Sequence, residues 1–239
     1  MSWQAKNVTF VLFMPSISFD NAGQIFQNAT GTFPQLVQQM APVGTLAGGA
    51  FGGGWINLQV APGRVQVDVV PPPGFSSDLP TLKDIMGALK LGREFVSKLY
   101  EGRVVTRVGC VIDAIKPTLT YEEARADFLN QLPFLTVPDQ AKEIVFQLNC
   151  PVPARSVGSS DVNRLCRWSS IVMQMVAFDM QGGSPSGITH ESHASSLFVD
   201  VNTDARSTMP IPSDSMQSVC DELAEIAYDT LTRGYDAIR

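Results

Sequence analysis

The chain is predicted to be α+β, with two β-α-β-β-α units in tandem, a mostly antiparallel sheet and helices packed on one face. Three observations predict this. Two alternating stretches, residues 55–60 and 64–70, flank a Pro-Gly turn. A β-rich run at 7–14 is restarted by another at 103–112. Segments of helical spacing with capping residues follow both runs.

Residues 7–14 (NVTFVLFM) are apolar almost throughout, as expected of a central strand covered on both faces. Asn21 and Gln24 then stand at capping-box spacing, and Ala22, Ile25, Phe26 and Ala29 form a helical stripe. Gly31 interrupts it, and Phe33, Leu36, Val37 and Met40 continue the apolar spacing. Residues 44–54 (GTLAGGAFGGG) read as a flexible connection. A backbone cradle for an anion is the functional alternative, but no Lys-Ser or Lys-Thr follows the glycines and no dinucleotide fingerprint is present.

Ile56, Leu58 and Val60 alternate with Asn57 and Gln59, and Val65, Val67 and Val69 with Gln66 and Asp68. Pro62 presets φ and Gly63 accepts a positive one, so a tight hairpin joins the two strands. The prolines at 71–73 end the second strand. Leu82, Ile85, Met86, Leu89, Val96 and Leu99 mark a long amphipathic helix closing near Gly102.

The second pass begins with residues 103–112 (RVVTRVGCVI). Thr120 and Glu123 make a capping box before Tyr121, Ala124, Phe128 and Leu132, and Leu132-Pro133 echoes Phe33-Pro34. Residues 143–150 alternate, 163–178 form a long β-like run, 181–193 read as a polar loop, and 196–202 alternate again. Asp214 with Gln217 caps a last helix striped by Met216, Val219, Cys220, Leu223, Ile226, Ala227 and Leu231. The units are 1–102 and 103–239, and their strands make either one continuous sheet or two abutting ones.

In its early apolar strand, its mid-chain strand-helix restart and its closing strand LFVDVN followed by a helix, the chain resembles a sporadically distributed bacterial family. That family has similar length, a duplicated α+β organisation and unknown function. The resemblance covers most of the chain, implies no activity and transfers no site residue.

Composition narrows the function classes. A net charge of −6 argues against general nucleic-acid binding, and Arg155, Arg164 and Arg167 read as a solvated rim. No apolar run approaches the ~20 residues that span a bilayer, and no small-residue cleavage site follows residues 8–14. Cys110, Cys150, Cys166 and Cys220 are scattered, which suits free thiols of a cytoplasmic protein.

Few residues suggest chemistry. His190 and His193 lie in THESH at a spacing of three, where a zinc-protease helix needs four. Asp200, Asn202 and Asp204 resemble the opening of a calcium loop, but Ala205 and Ile211 stand where glycine and glutamate belong. No G-x-S-x-G elbow places a nucleophile for a Ser-His-Asp triad, despite Asp113, the histidines and serines such as Ser159 and Ser160. No cofactor or metal is expected.

The function expected is therefore non-enzymatic: binding or assembly through a protein-protein interface, in bacterial defence or regulation. Met173 and Met175 share a face of an uncharged strand segment and are the interface candidates, for self-association or a protein partner. The alternative is a hydrolase with a metal held by His190 and His193.

Overall fold

The computed structural model describes the chain except residues 1, 18–20, 41–43, 75–78, 157–160, 180–185 and 205–208; at 175–179 and 186–190 it describes the backbone alone. Among the described residues there are ten strands: β1 Gln4–Phe13, β2 Leu36–Gln39, β3 Thr45–Phe51, β4 Gly54–Ala61, β5 Arg64–Val70, β6 Arg107–Thr118, β7 Val145–Asn149, β8 Val152–Pro153, β9 Asp161–Asp179 and β10 Ser186–Thr203. Four helices accompany them: α1 Ala22–Thr30, α2 Ile85–Ser97, α3 Tyr121–Gln131 and α4 Met216–Arg233. Both sequence halves contribute to one sheet, in the order β2-β3-β4-β5-β1-β6-β10-β9-β7, with β8 on β9. Every pairing is antiparallel.

Strand alternation divides the sheet into an apolar and a polar face. Val8, Phe10 and Leu12 of β1, Val65, Val67 and Val69 of β5, and Val108, Cys110 and Ile112 of β6 are all buried on the first. All four helices pack there: α1 on β3 and β4, α2 on β1, β4 and β5, α3 on β6, β9 and β10, and α4 on β6 and β10. Each fully buried Val or Leu is worth about 1.5–3 kcal/mol, so this layer holds the molecule together.

The other face carries no helix among the described residues. On this face Thr9 lies opposite Val111, and Val11 opposite Gly109, in the central β1–β6 pair. Outward on one side, Thr9 faces Asp68, which faces Asn57. Outward on the other, Gly109 faces Asn202, which faces Asn163. Thr9, Asp68 and Asn202 are nonetheless under 10% exposed, because polar neighbours cover one another. Thr9 Oγ1 donates to Asp68 at 2.6 Å, Gln59 and Gln66 donate to the same carboxylate, and Arg107 donates to Asn202 at 2.7 Å. The expected cover on both sides of β1 is thus helices on one face and side chains of the sheet itself on the other.

Several expectations are corrected. Leu36 and Val37 do not extend a helix: α1 ends at Gly31, φ 74°, and β2 is an exposed edge strand. The glycine-rich segment is not a connection but β3 and its turn. A Cβ at Gly49 would come within 2.9 Å of the Phe26 ring, so close packing of α1 requires glycine there. Residues 186–193, read as loop, belong to β10. Asn21 caps α1 through the Gly23 N–H, without Gln24, which bonds Asn28. Ser215 stands at the N-cap of α4 with no side-chain bond to the helix, and Gln217 bonds Asp221. Met86, placed on the buried stripe of α2, is 48% exposed. The hairpin at Pro62-Gly63, with Gly63 at φ 74°, and the Thr120 cap of α3 are as expected.

Candidate interaction surface

β9 and β10 are 19 and 18 residues long and pair from Val162–Thr203 out to Asp179–Ser186. Their neighbours stop short. β6 follows β10 only as far as Thr118 opposite His193. β7 follows β9 only to Val145 opposite Ser169, with one further bond from the Ser170 N–H to the Ile144 carbonyl at 3.2 Å. Beyond these points residues 171–179 and 186–192 form a two-stranded arm, flanked by no other strand among the described residues.

The sequence candidates meet on this arm. Met173 lies opposite Ser192, Met175 opposite His190, and Val172 opposite His193. Met173 is half-buried and Val172 is 47% exposed; the side chains of Met175 and His190 lie outside the described residues. An odd spacing along a strand puts two positions on opposite faces, so the backbone does not favour two imidazoles sharing one ion. His193 Nε2 is 3.4 Å from a Glu191 carboxylate oxygen, and its buried Nδ1 has no partner. Among the described residues no three His, Cys, Asp or Glu are grouped to hold a metal.

A cleft of about 680 Å³ opens at the arm's base, where β7 ends and the edge of β9 becomes free. Ser169, Ser170, Ile171 and Val172 line it from the sheet, with Tyr121, Glu143 and Val145 opposite. The Glu143 N–H donates to Tyr121 Oη at 3.2 Å, and that hydroxyl lies 3.1 Å from Ser170 Oγ. Glu143, φ 54°, is the one described non-glycine residue with a positive φ. Such strain persists only where surrounding contacts hold it, and here the Tyr121 bond does so.

The other sequence candidates are dispersed. Arg155 is tied to Glu222 and Glu225, Arg164 donates to the Ala237 carbonyl, and Arg167 lies 4.7 Å from the Phe198 ring centre. Asp113 pairs with Lys6 at 2.7 Å within the sheet. Asp200 and Asn202 are strand residues bonded to each other. Ser159 and Ser160 lie outside the described residues. Cys110, Cys166 and Cys220 are buried free thiols; burial pushes Cys166 and Cys220 up to about 12 and Cys110 higher still, so none is a thiolate nucleophile at neutral pH. Burial also raises Asp68 above the ordinary carboxylate range, against the lowering effect of its hydrogen bonds.

The arm itself offers the chemistry of a strand edge. The outer side of 171–179 presents main-chain donors and acceptors, and residues 171–178 (IVMQMVAF) carry no charge, proline or glycine. Sequence reasoning found this segment from composition but missed its free edge, which depends on where β7 and β6 stop. No described helix is long and apolar enough to cross a membrane. No known family matches the chain, and no curated protein matches it either.

Proposed function

We propose that this is a binding and assembly protein whose arm takes up a strand of another protein chain along the outer edge of β9. The observation that carries the reading is the edge of β9 at 171–179, uncharged through Phe178 and flanked by no strand among the described residues, extending past β7. Strand addition draws affinity from main-chain bonds and specificity from side-chain pockets, and the cleft beside Val145 and Val172 supplies such a pocket. In light scattering the protein should exceed its monomer mass of 25.9 kDa. Met173→Asp should return it to that mass without loss of the folded signal. A wild type that stays monomeric at about 100 µM and also captures no partner chain from lysate removes the reading.

We also infer that the two units arose by internal duplication, in keeping with the bacterial family that the chain resembles. Its support is that both halves run outward in the same way, β1-β5-β4-β3 and β6-β10-β9-β7. Their polar pairs, Asp68 with Asn57 and Asn202 with Asn163, take corresponding places. Aligning the halves across many relatives should match Thr9 to Gly109 and Asp68 to Asn202; a best match that pairs different elements ends the inference.

A further inference from the structure

The sheet has a second open edge, β2, at its far end. Exposed large apolar side chains gather at both ends. Phe33, Leu36, Val37 and Met40 lie on or beside β2, and Val145 and Val172 flank the root of the arm. These are six of the eleven exposed large apolar residues described, so the apolar surface is concentrated where the sheet stops. β2 (LVQQ) has no charge, proline or glycine, the usual means of blunting an edge.

We propose that these two ends form one contact: β2 of one copy pairs with the free edge of β9 in the next copy, joining sheets head to tail. The inference rests on the reading of the arm as a docking edge and names its occupant. Strand direction supports it. Every neighbour in the nine-strand path is antiparallel, so β2 and β7, first and last, run the same way. A β2 laid beside β9 in line with β7, its helices on the same side, is therefore antiparallel to β9, like every other pair in the sheet.

The free edge is also long enough for β2. Four residues of β2 span about 13 Å, and the nine free positions of β9 about 30 Å. That orientation brings the Gln39 end of β2 toward Val145, with Met40 at the mouth of the cleft. β2 and residues 171–178 of β9 carry no charge, so the contact adds no like-charge repulsion at its centre in a protein of net charge −6. The two surfaces differ, so each added copy leaves one β2 and one arm free; the assembly grows or closes as a ring.

Two variants at exposed positions test this, Val37→Lys on β2 and Val172→Lys on the arm. Unchanged melting of each establishes that the fold is kept. By light scattering the wild type should show concentration-dependent multiples of 25.9 kDa, and each variant alone that single mass. Their equimolar mixture should double it, because the intact arm of one meets the intact β2 of the other. A mixture that stays monomeric overturns the proposal. A Val37→Lys protein that still self-associates like the wild type means arms pair with arms, which overturns head-to-tail joining and spares the arm reading. A Val172→Lys protein that assembles normally removes both, and a wild type monomeric at about 100 µM overturns head-to-tail joining and spares the arm reading.

Discussion

Two hairpins hold corresponding places beside the central strands, and they are built very differently. β4–β5 has strands of eight and seven residues, a two-residue turn, and a partner strand on each side. α2 roofs it, with Gly92 set against Phe10 and Val69. β9–β10 is more than twice as long, and its outer part has no flanking strand and no core residue among the described residues. The first hairpin has the length its sheet needs; the second exceeds it. On the proposed reading, the surplus length serves contact with another chain.

The sharpest test of this contrast is to place one charge in each hairpin. Val67→Asp puts an unpaired carboxylate on the fully buried face of β5 and should cost at least ~4 kcal/mol, enough to prevent folding, as thermal melting or circular dichroism would reveal. Met173→Asp on the arm should leave melting nearly unchanged while it abolishes assembly. Equal destabilisation by both would make the arm a part of the core.

A smaller effect probes the roof. A Cβ at Gly92 would lie 2.7 Å and 2.8 Å from carbons of the Phe10 ring. Gly92→Ala should therefore lower stability in denaturant titration, because about 1–3 kcal/mol of overpacking outweighs the ~1 kcal/mol gained in helix propensity. A stabilised variant would mean that α2 shifts freely over β5.

The contrast in legibility follows the same line. The β4–β5 hairpin was readable because its signals are local: period-two alternation and Pro62-Gly63. The Thr120 cap of α3 and the stripes of α2 and α4 were readable for the same reason. Phe33, Leu36, Val37 and Met40 misled because a short run at helical spacing says nothing about whether a surface exists to bury it. The glycines of β3 misled because the ring that requires them, Phe26, comes from another element. His190 was placed in a loop because main-chain ladders tolerate polar side chains, and no local pattern tells that Met175 lies across from it. The candidates were found singly; their convergence is a property of register.

The gentlest test compares Asp68 of β5 with Asn202 at the matching place in β10. Burial raises the folded-state affinity of Asp68 for a proton, so its contribution to stability is fully present below the unfolded pKa and is lost as pH rises through the folded one. Asp68→Asn removes this titration. Its melting temperature relative to wild type should therefore rise steadily from acid to neutral pH. A difference independent of pH would mean that Asp68 ionises as freely as an exposed carboxylate.

The seam between β1 and β6 has a consequence for how the chain is made. β1 is complete by Phe13, and its β5 neighbour by Val70, but its other neighbour ends only at Thr118. At ribosomal rates of about 5–20 residues per second, the nascent first half waits for several seconds with one side of this buried strand unpaired. During that interval the growing polypeptide displays the kind of sticky border that holdase chaperones shield, and slower translation between Val70 and Thr118 lengthens the exposure.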